Sequence, residues 1–137
     1  MILFDTCLLS ELKRPQPNQR VLYFIQSQQT EQLFLSSITI GELHKGYHLM
    51  PDGSKKSSVG IWIRKIENEF CDNLLPACAE VCKIWGELTA KAAIHGKTIN
   101  TADGLIAATA IHHGLALATR NIKDFEHTGV QLINPWE

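Results

Sequence analysis

The chain has 137 residues, enough for one domain with a hydrophobic core, and its composition of 45% hydrophobic and 20% charged residues is ordinary for a globular protein. A formal net charge of -1 excludes a nucleic-acid binder that works by bulk positive charge, so such binding would need a local basic rim or a metal. No window approaches the roughly 18 apolar residues of a membrane span, and we expect a soluble cytoplasmic protein with a single domain over residues 1–137.

The first third of the chain predicts a strand, two helices and a second strand. Residues 2–4 form an apolar run that ends at Asp5, and leucines at helical spacing follow. Pro17 suits the start of the second helix. Residues 26–32 are polar and turn-like, and residues 33–35 then repeat the short apolar run.

The middle of the chain is mainly helical. A helix begins within residues 39–42 and ends before the loop MPDGS, and a further helix covers residues 57–70. Residues 73–75 are a candidate third strand, which a proline ends. The longest predicted helix spans residues 77–95.

The last third contains the most apolar helix, residues 102–113. Gly96 and Gly114 suit the ends of the two helices that precede them. Strands are predicted at residues 115–118 and 130–133, with a short turn between them. Helices that alternate with continuous apolar runs indicate an α/β fold in three layers, a mostly parallel sheet of four to five strands flanked by helices.

Four cysteines occur without a C-x-x-C pair. A zinc site built from Cys71, Cys78 and Cys82 with His95 is one interpretation. Buried, reduced thiols are the simpler interpretation, and it is the one that we expect.

Carboxylates and amides follow the ends of several predicted strands. Asp5 follows the first strand, and Glu42 lies in the first turn of the helix after the second. Asp103 opens the helix that leads to the fourth strand, and Asn121 and Asp124 follow that strand. Because parallel strands end on one side of a sheet, we expect these residues to meet in one crevice.

Each acid also has a purely structural explanation. Asp5 can cap the first helix. The pair Thr39-x-x-Glu42 fits a capping box. The pair Asn100-x-x-Asp103 resembles one. Capping requires acids at helix starts, but it does not require three such starts to face one crevice.

Several carboxylates in one crevice repel each other unless a cation shares them. Mg²⁺ and Mn²⁺ prefer oxygen ligands, and Mg²⁺ combines one or two carboxylates with water and phosphate, so an acidic metal crevice implies a phosphate substrate.

Neighbouring polar side chains fit that picture. Thr6 and Thr119 would hold a carboxylate or a metal-bound water, and Arg120 would contact a substrate phosphate. The simpler explanation is turn and cap chemistry for the threonines and a solvated surface charge for Arg120. Four basic residues would rim the groove: Lys13, Arg14, Lys45 and Lys123.

Three segments carry these residues: MILFDTCLLSEL at the start, SSITIGELHKGY around Glu42, and TADGLIAATAIHHGLALATRNIKDFEHTGVQLINPWE at the end. Together they resemble the PIN-domain ribonucleases, specifically the VapC/FitB-like toxins of bacterial toxin–antitoxin pairs. The last segment is the most specific, because the acid, the apolar helix, the TRN turn, the DF pair and the terminal NPW occur together. The middle, about residues 50–95, matches only in its helical character.

The resemblance implies a PIN-like fold and metal-dependent endoribonuclease activity, in which an activated water hydrolyses RNA phosphodiester bonds. It identifies Asp5, Glu42 and Asp103 as the catalytic, metal-binding acids, with Mg²⁺ as the cofactor and Mn²⁺ as its substitute. It also implies a small antitoxin that blocks the groove, a homodimer, and a higher assembly with the antitoxin.

Two positions depart from the family pattern. Cys7 stands where many relatives have Asn, so we expect a polar contact to be lost. Asn121 stands where some relatives have Asp; it can ligate through its carbonyl oxygen but adds no charge. The first metal site therefore rests on Asp5 and Asp103, and a second would need Asp124.

Two other classes of function remain open. In a non-catalytic PIN-like module, the acidic groove would only dock a basic partner segment. A phosphatase with Asp5 as nucleophile would want a second Asp where Cys7 stands, and a thiol phosphatase would want Arg where Lys13 stands.

Overall fold

The computed structural model describes the whole chain, residues 1–137, as a five-stranded sheet with seven α-helices around it. The strands are β1 (Ile2–Phe4), β2 (Leu33–Ser36), β3 (Leu74–Leu75), β4 (Ala116–Ala118) and β5 (Leu132–Ile133). The helices are α1 (Thr6–Lys13), α2 (Gln19–Gln26), α3 (Ser37–Leu49), α4 (Ser54–Glu69), α5 (Ala79–Ile94), α6 (Thr101–His113) and α7 (Ile122–Phe125). None of these helices combines the length and the apolar character that crossing a membrane would require.

The sheet has the order β3-β2-β1-β4-β5, and all neighbouring strands are parallel. This confirms the predicted α/β architecture. Beyond the last residue of β1, Asp5 N–H still donates to the Ala118 carbonyl at 3.0 Å, so the pairing of β1 with β4 reaches the start of α1. The chain order reverses between these two strands, which is where open α/β sheets bind ligands.

Successive residues of β1 point to opposite faces of the sheet, and each face has its own core. Ile2 and Phe4 pack with α1, α3 and α4, whereas Leu3 packs with α6 and α7. The first core contains eleven buried residues and the second contains eight. A strand buried on both faces is therefore apolar at every position, which explains the unbroken apolar run in the sequence.

Gly104 allows α5 and α6 to approach closely. A Cβ atom at this position would lie 2.9 Å from Trp85 Cδ1, closer than real Cβ atoms come to other heavy atoms. The indole of Trp85 thus covers the first turn of α6, and its buried Nε1 has no hydrogen-bond partner. Because Asp103 directly precedes Gly104, this packing also helps to set the position of that acid.

Several predicted boundaries are wrong, and local capping explains the start of α2. Helix α2 starts at Gln19 and not at Pro17, because the Asn18 side chain accepts hydrogen bonds from the N–H groups of Arg20 and Val21. Helix α4 starts at Ser54, three residues before the predicted start, and its 16 residues equal those of α5, which is therefore not the single longest helix.

The predicted capping box at Thr39 and Glu42 is also wrong. Ser36 caps α3, because its hydroxyl accepts a hydrogen bond from Ile38 N–H at 3.0 Å. The helix therefore begins at Ser37, and Glu42 lies in its second turn and not in the first. Thr39 is fully buried, and its hydroxyl has no hydrogen-bond partner.

The sequence patterns gave no sign of a structural role for Glu11, which is 5% exposed. Its carboxylate accepts hydrogen bonds from Asn18 N–H at 3.0 Å and from Trp136 Nε1–H at 3.3 Å, and it pairs with Arg14. One side chain of α1 thereby joins the start of α2 to the end of the chain.

We expect Glu11→Gln to lower the free energy of unfolding at neutral pH. The hydrogen bond from Asn18 is the main reason why the pKa of Glu11 lies below its ordinary value of 4.5. The carboxylate therefore stabilises the fold fully above pH 4.5, and this contribution is lost as the pH falls through the lowered pKa. Urea unfolding should accordingly separate wild type from variant at neutral pH and bring them together in acid.

Glu87→Gln is the matched control, because Glu87 is exposed and paired only with Lys91 on the same helix. It should leave the pH profile of stability unchanged. Parallel profiles for wild type and Glu11→Gln would show that Glu11 does not stabilise the fold in this way.

Candidate active site

Asp5 is the most tightly held of the predicted acids, with a side chain only 6% exposed. One carboxylate oxygen, Oδ1, accepts a hydrogen bond from Thr6 N–H at 2.8 Å, so Asp5 does cap α1. The other oxygen, Oδ2, accepts from the Thr119 hydroxyl at 2.7 Å, and Cys7 Sγ lies 3.6 Å from it. Capping accounts for one oxygen only, and the second is held by residues from the end of β4 and from α1.

Glu42 reaches the same place from the second turn of α3. The Thr6 hydroxyl donates to Glu42 Oε1 at 2.9 Å, which links α1 to α3. Burial raises the pKa of Glu42, and the negative charge of Asp5 adds to this effect. The hydrogen bond from Thr6 and the charge of Lys45 act in the opposite direction.

Asp103 lies in the first turn of α6, which Asn100 caps by accepting hydrogen bonds from two backbone N–H groups. Its pKa is raised to about 6, first by burial and then by the charges of Asp5, Asp124 and Glu42. The structure therefore brings Asp103 within electrostatic reach of three other acids, of which Asp5 is buried, Glu42 is partly buried and Asp124 is exposed.

The residues that follow β4 differ in burial, from the buried Thr119 to the exposed Asn121. Thr119 is fully buried; its hydroxyl donates to Asp5 and accepts from Asn121 N–H at 3.0 Å. Asn121 itself is exposed and makes no side-chain cap on α7. The guanidinium carbon of Arg120 lies 5.5 Å from the centre of the Trp136 ring, so this side chain packs against an aromatic face.

Cys7, which departs from the family pattern, has polar contacts of its own in this site. Its sulfur lies 3.6 Å from both Asp5 Oδ2 and the Thr119 hydroxyl, and it accepts a hydrogen bond from Arg120 N–H at 3.4 Å. Burial and the adjacent charge of Asp5 raise its pKa to about 11. The thiol is therefore protonated at neutral pH and can donate to the Asp5 carboxylate.

The acids suit a hard divalent cation by their chemistry, since all of their donor atoms are oxygens and their charges repel. In the conformation described, however, no set of three or more His, Cys, Asp or Glu side chains is close enough to hold a metal ion. Metal binding would therefore need side-chain adjustments at this edge of the sheet.

Because no such set of metal-binding side chains is present, the zinc interpretation of Cys71, Cys78 and Cys82 with His95 has no support. The expectation that these thiols are buried is also wrong for Cys71 and Cys82, which are exposed, while Cys78 is partly buried. All four cysteines are free.

A family model and several known proteins match this chain over almost its whole length. Residues 2–130 match the model of the PIN domain family. The VapC ribonuclease Y4jK of Sinorhizobium fredii is 40% identical over 100% of this chain and 99% of its own length. The toxin FitB of Neisseria gonorrhoeae is 40% identical over 99% of both proteins. A solved structure of FitAB bound to a DNA fragment contains a chain with a TM-score of 0.92 and 39% identity, which covers 100% of this chain and 96% of that one.

The pKa of Cys7 predicts slow alkylation. At about pH 8 a thiol with a pKa near 11 carries roughly 100-fold less thiolate than one at the ordinary value of 9.0, and the thiolate is the reactive form. After a short exposure to iodoacetamide, peptide mass spectrometry should therefore find Cys71 and Cys82 modified and Cys7 intact. Alkylation in denaturant is the control, and equal labelling of all three in the native protein would contradict the contacts described for Cys7.

Proposed function

This chain belongs to the PIN domain family, and on that premise we propose that it is a metal-dependent endoribonuclease that acts as the toxin of a toxin–antitoxin pair. The observation that carries the proposal is the convergence of Asp5, Glu42 and Asp103 at the carboxyl edge of the sheet, where open α/β proteins bind ligands. The names of the relatives support the same activity, since one is a ribonuclease and another a toxin.

We assign Asp5, Glu42 and Asp103 as the ligands of a Mg²⁺ ion, for which Mn²⁺ can substitute. Asn121 and Asp124 would assist, the first through its amide oxygen and the second through its carboxylate. When bound, the ion supplies a water of lowered pKa and neutralises charge at the scissile phosphate. The raised pKa values of Asp103 and Glu42 support this assignment, because burial and neighbouring carboxylates destabilise their ionised forms, and a bound cation would offset both effects.

Surrounding residues of the chain hold two of these acids, Asp5 and Glu42, in place. Thr119 and Cys7 fix one oxygen of Asp5, and the backbone of Thr6 fixes the other. The hydroxyl of Thr6 fixes Glu42. Asp5 and Glu42 are therefore oriented before substrate arrives, and such preorganisation is a main way in which a protein scaffold assists this chemistry.

We further propose that a small antitoxin protein blocks this edge of the sheet and that the toxin itself is a homodimer. For the partner protein, support comes from the FitAB structure, which contains a chain of this fold in a complex bound to DNA. With RNA as the substrate, we place the activity in the cytoplasm.

Replacement of a proposed ligand should abolish cleavage. We expect Asp5→Asn and Asp103→Asn each to lower the rate of RNA cleavage in Mg²⁺ by about 100-fold or more, since loss of a partner outside the ligand set alone typically costs roughly 10- to 100-fold. EDTA should abolish the wild-type activity, and Mn²⁺ should restore it. The measurement is the cleavage of a labelled RNA resolved by electrophoresis.

Glu87→Gln is the control, because Glu87 is exposed on α5 and pairs only with Lys91 on the same helix. Its activity should equal that of the wild type. Cleavage that persists in EDTA, or full activity of Asp5→Asn, would refute the proposal.

Metal binding separates this enzyme from a module that only docks a partner. Calorimetric titration with Mn²⁺ should give binding to the wild type and greatly weakened binding to Asp103→Ala, because the variant lacks one of the three proposed ligands. If neither protein binds Mn²⁺, the non-catalytic interpretation is the correct one.

A further inference from the structure

A groove of about 500 Å³ opens directly beside the acidic cluster, between α1, α3 and α4. Thr6 and Glu42 form its end at the cluster, and Lys13 and Lys55 lie on its walls. Its volume lies within the range of sites that bind small ligands, so it can accept single nucleotides. The groove is therefore continuous with the site at which we propose that RNA is cleaved.

Two aromatic side chains line the groove, and each has a lysine ammonium group near its ring. Lys13 Nζ lies 5.4 Å from the centre of the Trp62 ring, and Lys56 Nζ lies 5.1 Å from that of Tyr47. Tyr47 packs closely on α4, because a Cβ atom at Gly60 would lie 2.9 Å from its ring. The groove thus places flat apolar surfaces beside positive charges, which is the combination that binds unpaired nucleotides.

The distribution of charge also favours an anionic occupant. The chain has a net charge of -1, and the acidic cluster repels phosphate, so an approaching RNA strand needs cations close to the cluster. The lysines of this groove supply them. Another groove, of about 510 Å³, has an apolar lining but carries Glu31, Glu69 and Asp72, and these acids would repel an RNA backbone.

We infer that this groove binds the single-stranded RNA nucleotides next to the scissile phosphate, with a base against Trp62 and the backbone phosphates near Lys13 and Lys55. The inference rests on the proposed function, which places the reacting phosphate at Glu42 and its neighbouring acids. A duplex is excluded because paired bases are already stacked and cannot lie flat on a side chain within a groove of this size.

RNA binding measured without metal tests the inference separately from cleavage. The probe is a fluorescein-labelled single-stranded RNA of ten nucleotides and mixed sequence, and fluorescence anisotropy in EDTA gives the Kd of the full-length protein. Trp62→Ala should raise the Kd on the order of tenfold, since a stacked base contributes this much in other single-strand binders. Trp62→Phe keeps an aromatic face and should recover most of the affinity.

The lysines are tested by the salt dependence of binding. Lys13→Gln and Lys55→Gln should each weaken binding and reduce the slope of log Kd against log salt by about 0.7, the value for one phosphate contact on a single strand. Lys83→Gln is the matched control, because Lys83 is exposed on α5, outside the groove. A duplex of the same sequence should bind more weakly than the single strand.

Unchanged Kd values in Trp62→Ala, Lys13→Gln and Lys55→Gln would overturn the inference. The inference would also fail if these variants bound RNA normally and lost only the ability to bind an inhibitory partner protein. Circular dichroism and thermal melting show whether Trp62→Ala is folded; if it is not, Trp62→Phe and the lysine variants carry the test. If the groove variants lose RNA binding but no metal-dependent cleavage is found, the proposed function fails together with the placement beside a scissile phosphate, while the binding of single-stranded RNA in the groove stands. If cleavage depends on metal but the groove variants bind RNA as tightly as the wild type, the inference fails while the proposed function stands.

Discussion

A carboxylate that is almost fully buried needs hydrogen-bond donors, and the residues that donate to Asp5 determine the arrangement of this site. Its donors come from the first residues of α1 and from the residue that follows β4. Charge-assisted hydrogen bonds of this kind are stronger than neutral ones. Asp5 therefore joins the ends of two neighbouring strands to the start of a helix at the point where the sheet reverses its chain order.

The same region accumulates negative charge that the fold does not need. Burial and repulsion both oppose the ionised forms of Glu42 and Asp103, so the chain would lose little stability if these acids were replaced by neutral residues. Natural proteins tolerate such locally unfavourable arrangements mainly where they serve a function. The unfavourable electrostatics thus point to a site, whereas the hydrogen bonds of Asp5 alone are equally consistent with a structural role.

Much of the architecture could be predicted from the sequence, because the signals are physical ones that act over a few residues. The continuous apolar runs predicted parallel strands, and the position of acids after those runs predicted a shared edge. The start of α3 could not be predicted correctly, since Ser36 and Thr39 both carry hydroxyls that can cap a helix, and tertiary packing decides between them.

Local sequence patterns could not predict contacts between residues that are distant in the sequence. Nothing in the local pattern around Glu11 indicates that Trp136 will donate a hydrogen bond to it. Cys7 presented the same difficulty, because its contacts with Thr119 and Arg120 exist only once the end of β4 lies beside the start of α1. The chemistry of single residues was visible, but their partners depend on the three-dimensional arrangement.

The close packing of Trp85 on Gly104 offers a way to tune the site from a distance. The indole touches the helix one residue beyond Asp103, on the side of the sheet opposite the groove formed by α1, α3 and α4. A smaller ring at position 85 would allow the first turn of α6 to shift, and with it the spacing between Asp103 and the other acids. Substitutions at position 85 could therefore alter the spacing of the acids without changing any of the acids themselves.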